Sequence, residues 1–490
     1  MKTILILLDT LNRRALSAYG GTGVSTPNID RLAAQSVVFE QHWSGSLPCM
    51  PARRDIMTGR AAFLEKGWGG IEPFDRTLPV ALREAGIYSH IVTDHYHYFA
   101  TGGENYCQAY STWDFHRGQE DDPWVSTVAE PPMPPAYLGQ VRAQCERNRT
   151  RFAREADYPG PRTIQAACDW LERNGREHSF FLTVEAFDPH EPFDCPDAYL
   201  DLYGDDYAGP PYDWPRYGTV DVPLEALAHL RLRYAATLTM IDAWLGKLLC
   251  TMERLGIDDD TLVIFTTDHG FLLGEHELTG KNVMHVYNEI AHIPLMIRLP
   301  GGTGAGRRVG ALTQNIDLMP TILDYMGAAI PDSVQGTSLR GVLEGTQDRI
   351  RDTALYGYHG MAVNVTDGRY AYMRAPVSPD NHPCFTYTAM PTTFRSYLGG
   401  SAPERIEAGR FLPYTPYPVF KIPESTEGQT YARNRCVMDT RLYDLAQDEA
   451  QEHPIRDEAL EARMIGLLKD AMRRAGAPEE QYARLGLNGK

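Results

Sequence analysis

Cys49 stands two residues before Pro51 and four before Arg53 in the stretch Leu47-Pro-Cys-Met-Pro-Ala-Arg-Arg-Asp-Ile-Met-Thr-Gly-Arg60. Proline suits the first turn of a helix, so the cysteine falls at a helix entrance. Free backbone N–H groups and the positive end of the helix dipole then face it, and an anion bound there is stabilised. Arg53 adds a fixed positive fork in the same turn, and Thr58-Gly59 closes the segment. On these residues alone Cys49 reads either as a nucleophile facing an anion or as a small buried hydrophobe.

Other reactive residues follow short apolar runs. Asp268-His269-Gly270 lies just past Thr261-Leu262-Val263-Ile264-Phe265. A carboxylate and an imidazole adjacent there can both reach one cation, with Gly270 allowing the tight turn. Asp9 holds the matching place after Ile4 to Leu8. His190 is flanked by Pro189 and, one residue on, Pro192, after the run Phe180 to Val184. A histidine flanked by prolines at that point is held rigidly near the sheet rim, and on the residues alone it reads either as a functional imidazole or as a structural turn residue. Thr93-Asp94-His95-Tyr96-His97-Tyr98 comes after a run from Ile87 to Val92 and is expected to reach the same pocket.

The elements that must position these residues can be read from the pattern. Continuous apolar runs of this length predict parallel strands covered on both faces, and open parallel sheets place ligands at the strands' carboxyl ends. A further strand is predicted over Ile293 to Ile297. Helices are predicted from Thr26 as N-cap with Pro27 first, from Pro79 to Glu84 with Gly86 ending it, and from Thr163 to Asn174. Two more run from Leu224 to Leu255, ending at Gly256, and from the Asn315 to Thr321 segment to Gly327. The expected fold is α/β, a large mixed, mainly parallel sheet sandwiched by helices, over residues 1–354. Residues 101 to 160 show no sustained period and are expected to form a lid or binding wall that carries specificity. Around Asp367-Gly368 the alternation signals a hairpin, so a smaller C-terminal antiparallel α+β domain is expected over 355–490. Residues 375 to 435 read as an arm packing on the catalytic face or on a neighbouring subunit, which leaves a homo-oligomer open. Arg441 to Leu445 is expected as a strand and Leu460 to Ala475 as a closing amphipathic helix.

Composition bounds the partners. The 490 residues carry 47 basic and 64 acidic side chains, a net charge of −17. That excess repels nucleic acid and anionic membrane, and leaves a small anionic substrate if positive charge is gathered in one cleft. The eight cysteines, at 49, 107, 145, 168, 195, 250, 384 and 436, lack the spacing of a zinc site or small disulfide scaffold. The seven besides Cys49 are read as reduced and structural. The opening apolar run reaches only to Asp9 and no small-residue cleavage site follows, so it is expected to be a strand and the protein cytoplasmic. No apolar stretch approaches the roughly 20 residues that span a bilayer.

Taken in order, these segments resemble the type I sulfatases of the alkaline phosphatase superfamily. The matching phrases are Cys49, Pro51, Arg53 and Thr58-Gly59; Thr26-Pro27-Asn28-Ile29-Asp30-Arg31-Leu32; Asp188-Pro189-His190 with Pro192-Phe193; and Asp268-His269-Gly270, Gly274-Glu275-His276 and Gly280-Lys281. Met50 departs from the family's small residue, and Thr10 stands where many relatives carry a second acid. The family's Gly-Lys-Trp-His phrase falls on residues 93 to 98. One alignment puts Asp94 and Tyr96 under its lysine and histidine, and a slip of one residue puts His95 and His97 there.

The resemblance implies an alkaline phosphatase-like fold and oxidation of Cys49 to formylglycine by a separate formylglycine-generating enzyme. It implies one divalent cation, Ca2+ favoured and Mn2+ second, held by Asp9, Cys49, Asp268 and His269. Arg53 and Lys281 would contact the sulfuryl oxygens, with His190 protonating the departing alcohol. His276 would reach the substrate or support a residue that does. One hydroxyl of hydrated formylglycine would attack sulfur, and the second would let the hydrate collapse and expel sulfate. The implied activity is hydrolysis of a sulfate monoester. Phosphonate monoesters and phosphodiesters are also singly negative and tetrahedral, and related hydrolases act on them. With Cys49 unmodified, the chain would instead be an anion-binding protein without turnover.

Overall fold

The computed structural model describes residues 1–393, 395–397, 403–424 and 438–487. Cys436 and parts of the 375–435 segment lie outside the described residues. At the centre is an eight-stranded sheet. Its order is Arg308–Gln314, Val37–Trp43, Leu295–Arg298, Thr261–Thr266, Lys2–Leu8, Phe180–Ala186, Tyr88–Thr93 and Thr112–Phe115. Only Leu295–Arg298 runs antiparallel to its neighbours. The central strand Lys2–Leu8 pairs in parallel with Phe180–Ala186 on one side and Thr261–Thr266 on the other. Asp9, Phe187 and Thr267 therefore leave the sheet at the same rim.

Side-chain alternation along that strand divides the core. Ile4, Ile6 and Leu8 pack with Ile164 and Leu171 of helix Pro159–Asn174 and with Leu238, Ile241 and Leu245 of helix Leu224–Leu255. Leu5 and Leu7 point the other way, among Ile56 and Met57 of helix Cys49–Thr58 and Leu318 and Ile322 of helix Leu318–Met326. Burial on both faces is why these strands read as unbroken apolar runs.

Several elements differ from their sequence expectation. Helix Pro27–Ala34 begins after Thr26, but the Thr26 hydroxyl makes no hydrogen bond. The Asp242 carboxylate of the long helix accepts from Asn28 N and Ile29 N instead, at 3.1 and 2.8 Å, and so caps from outside the segment. Pro79 takes the second helical position of Leu78–Glu84. Within residues 101 to 160, Thr112–Phe115 forms the sheet's edge strand and Ala143–Arg149 a short helix. The edge strand is mostly exposed, so it carries no apolar period that would announce it.

The hairpin at Asp367-Gly368 joins Val363–Thr366 to Tyr370–Arg374. Those strands belong to a five-stranded sheet ordered Arg441–Asp444, Tyr370–Arg374, Val363–Thr366, Ala354–Tyr358 and Ser46–Leu47. Ser46 and Leu47, immediately before the Cys49 helix, pair in parallel with Gly357 and Tyr358. Helix Glu458–Arg474 covers this sheet through Met464, Leu468 and Met472, and Asp457 caps it by accepting from Leu460 N at 2.9 Å. No helix among the described residues is long and apolar enough to cross a membrane.

Candidate active site

Three chain segments bring the principal side chains together. Helix Cys49–Thr58 contributes Cys49 at its first position and Arg53 one turn on; the central strand ends at Asp9; and Asp268 and His269 follow Thr261–Thr266. One donor atom from each of Asp9, Cys49, Asp268 and His269 falls within 4.8 Å of the others, and all four residues are buried. Cys49 Sγ lies 3.1 Å from His269 Nε2, while His269 Nδ1 lies 2.9 Å from the Gly270 carbonyl. A carbonyl only accepts, so Nδ1 carries the proton and Nε2 is left as a donor atom for a cation.

Arg53 forms the positive centre of this group. Its guanidinium donates to Glu185 at 2.5 Å, to Asp268 Oδ2 at 2.5 Å and to Asp9 Oδ2 at 2.8 Å. Arg53, Asp9, Asp268 and Glu185 are all nearly inaccessible to solvent, and such charges persist only when paired this closely. Burial would push the Asp9 carboxyl up, but Arg53 and Lys281 outweigh it and hold it below its ordinary range. Burial, with Asp9 beside it, raises the Cys49 thiol well above its usual value, so an unmodified cysteine here is a neutral thiol at neutral pH.

Thr10 fills the place of a second acid. Its hydroxyl donates to Asp9 Oδ1 at 2.6 Å and accepts from Lys281 Nζ at 3.0 Å. The residue has φ 64°, a left-handed backbone that disfavours a β-branched side chain. Lys281 also meets Glu191 Oε2 at 3.4 Å. Burial works against the Lys281 ammonium, yet the negative charge gathered around it, Asp9 and Asp268 included, holds it above its ordinary range. Burial raises the Glu191 carboxyl to about 8, with Lys281 acting in the opposite direction.

His190 follows Phe180–Ala186 and is buried, with Nδ1 2.5 Å from the Glu191 carbonyl. That contact assigns the Nδ1 proton and leaves Nε2 to exchange one with a ligand. Residues 94 to 97 point in different directions, with His95 and His97 on one side and Asp94 and Tyr96 engaged elsewhere. No hydrogen bond reaches either ring nitrogen of buried His95, whose Nε2 lies 3.7 Å from Asp9 Oδ2. His97 packs edge-on to it and reaches Glu120 Oε2 at 3.4 Å. Asp94 turns away, accepting from Phe187 N and Gln119 Nε2, and Tyr96 donates to Glu120 and Asp121. His276 is not gathered with these residues; it stacks on Tyr287 with centroids 3.6 Å apart and faces Glu289.

Sequence reading missed Glu185 and Glu120. Glu185 is a lone acid near the end of the buried strand Phe-Phe-Leu-Thr-Val-Glu-Ala, and an acid in such a run is a signal of a buried ion pair. Glu120 sits in the unpatterned 101–160 segment, where nothing local marks it. A divalent cation fits this constellation: two carboxylates, an imidazole nitrogen and position 49 converge on one point, and the orphaned imidazole of His95 stands beside them.

An arylsulfatase of Clostridium perfringens is 25% identical over 394 residues, covering 73% of this chain and 81% of that one. A solved structure in complex with its substrate D-glucosamine-2-N,6-O-disulfate superposes with a TM-score of 0.67 at 18% identity, covering 96% of this chain and 97% of the other. The phosphonate monoester hydrolase of Agrobacterium radiobacter gives 0.65 at 20%, covering 96% and 95%. The family model described as Sulfatase matches residues 2–328, which include Asp9, Cys49, Arg53, His190, Asp268, His269 and Lys281; the chain belongs to the sulfatase family.

Proposed function

We propose that this protein hydrolyses a sulfate monoester at position 49, using a formylglycine made from Cys49 by a formylglycine-generating enzyme and one divalent cation. The observation that carries the reading is the convergence of Asp9, Cys49, Asp268 and His269 around Arg53 and Lys281. Ca2+ is the first candidate because hard carboxylate oxygens dominate, and Mn2+ the second because of the imidazole. The cation, when bound, polarises a sulfuryl oxygen and favours the deprotonated nucleophile.

Charge balance supports a singly negative ester. Asp9, Asp268 and Glu185 oppose Arg53 and Lys281, which leaves one negative charge; a divalent cation and a monoanionic ester together bring the pocket to neutrality. Arg53 orients Asp9 and Asp268 and fixes the helix entrance by donating to the Cys49 carbonyl at 3.1 Å. Lys281, anchored by Thr10, places an ammonium against the reacting group; one such contact is typically worth about 3 kcal/mol of transition-state stabilisation. His190, as the imidazolium, gives the leaving oxygen a proton from Nε2, while the Glu191 carbonyl accepts from Nδ1 and fixes the ring's orientation.

The deciding experiment pairs the mass of the tryptic peptide carrying Cys49, from protein co-expressed with a formylglycine-generating enzyme, with turnover of 4-nitrophenyl sulfate, phenyl 4-nitrophenylphosphonate and bis(4-nitrophenyl) phosphate. A peptide lighter by about 18 Da and fastest turnover of the sulfate support the proposal, the mass being thiol-to-aldehyde stoichiometry outside the ordinary thiol oxidation series. Preference for either phosphorus ester would assign a phosphonate monoester or phosphodiester hydrolase. Sulfate binding with an intact thiol and no turnover would assign an anion-binding protein.

A further inference from the structure

Glu120 lies at the edge of the same pocket, on the segment between the edge strand Thr112–Phe115 and helix Ala143–Arg149. Its Oε1 is 3.7 Å from His190 Nδ1, and its Oε2 accepts from the Tyr96 hydroxyl at 2.7 Å. His97 Nε2 and Arg395 Nη2 approach Oε2 at 3.4 and 3.5 Å. Glu120 has φ 44°, a left-handed conformation that a non-glycine residue keeps only where its surroundings impose it.

Those surroundings are explicit. On one side, Gln119 Nε2 donates to Asp94 Oδ2 at 2.8 Å and to Asp188 Oδ1 at 3.3 Å. One amide thus ties Glu120's neighbour to the segments that carry His95 and His190. On the other side, Asp121 accepts from Arg142 at 2.8 Å and from Arg395 at 2.9 Å. From below, Asn148 Nδ2 reaches the Glu120 and Asp122 carbonyls at 3.4 and 2.8 Å. The Glu120 carboxylate is therefore fixed against the imidazole by three independent anchors.

We infer that Glu120 is a positioning residue for His190, holding its imidazole in the charged form that can donate a proton to the departing oxygen. The inference rests on the general-acid role proposed for His190. The need for such a group is electrostatic. Burial and the Lys281 ammonium drive the proton off His190, His97 acts in the same direction, and the Glu120 carboxylate opposes them. Glu191 is also near, its Oε2 3.3 Å from Nδ1, but Lys281 engages that oxygen and Tyr217 donates to Oε1. Among the described residues, Glu120 forms no hydrogen bond or ion pair with Asp9, Cys49, Asp268 or His269, so its effect is expected on the leaving group rather than on the cation.

The test uses the full-length, formylglycine-bearing, cation-loaded enzyme and compares 4-nitrophenyl sulfate, whose leaving group needs no proton, with phenyl sulfate, whose leaving group does. Glu120→Gln is expected to lower kcat for phenyl sulfate by about 10- to 100-fold, part of the roughly 10²- to 10⁴-fold that general acid catalysis supplies, and kcat for 4-nitrophenyl sulfate less than about threefold. The alkaline limb of kcat/KM should move about one unit toward acid, and the His190 imidazole titration followed by NMR should move likewise. Glu120→Asp, which keeps the charge but withdraws it by one methylene, should fall between, and serves if Glu120→Gln folds poorly. Equal losses on both substrates, with unchanged pH profile and unchanged His190 titration, would overturn the inference. Failure of the wild-type enzyme to turn over either sulfate would instead refute the proposed function.

Discussion

Cys49 Sγ and His269 Nε2 lie 3.1 Å apart although 220 positions separate them in the chain. The contact joins the first turn of a helix to the loop beyond a central strand, so the proposed nucleophile position and the nitrogen proposed to hold a cation lie side by side.

Cys49→Ala should leave the fold in place and remove turnover. The side chain lost is small, and a cavity of that size costs about 1 kcal/mol. The loss in kcat is expected to exceed about 10³-fold, because the attacking group itself is missing. Wild-type turnover by this variant would take Cys49 out of the chemistry; its melting curve reports the fold separately.

Arg53→Met removes the guanidinium held among three buried carboxylates, Asp9, Asp268 and Glu185. Uncompensated buried charge of this kind costs about 3–5 kcal/mol, which corresponds to a melting temperature lower by roughly 10 °C. Part of the loss should return with Ca2+, since a cation takes over the pairing of Asp9 and Asp268. Differential scanning fluorimetry with and without EDTA measures both effects.

Thr10→Asp restores a second acid beside Asp9, at a backbone φ of 64° that Asp tolerates better than threonine. Cation affinity should rise at least about tenfold by added ligand charge. Calorimetric titration with Ca2+ checks this, and unchanged affinity would show that the side chain at position 10 stays outside the cation's reach.

Stability should fall as pH rises through neutrality, and Asp94 is one cause. Burial pushes its carboxyl up to about 7, whereas an unfolded aspartate titrates near 3.9. The folded state binds that proton more tightly, so the contribution is complete below about pH 4 and is lost as pH rises through about 7. Asp188, raised by burial and by Asp94 itself, extends the loss upward. Urea midpoints measured from pH 5 to 8 should decline for the wild type and flatten for Asp94→Asn.

Part of the candidate site was legible because Asp9, His190, Asp268 and His269 come after strands covered on both faces, and the helix entrance at Cys49 is announced by Pro51 and closed by Gly59. The alignment of residues 94 to 97 was not legible: Tyr88–Thr93 ends there and a 3-10 turn begins at Tyr96, so neither period two nor period 3.6 extends across the four positions. Glu120 was invisible for a related reason, since its position depends on Gln119, Asp121 and Asn148, partners set by tertiary contact. Ser46 and Leu47 form too short a strand to show any period, and their pairing with Gly357 and Tyr358 could not be anticipated.

That pairing has a consequence in time. Tyr358 is synthesised about 310 residues after Leu47. At about 5–20 residues per second, the segment entering the Cys49 helix waits roughly 15–60 s before its neighbouring strand exists. A newly made chain therefore displays the thiol's surroundings unfinished for that interval, before the last strand has closed over the segment.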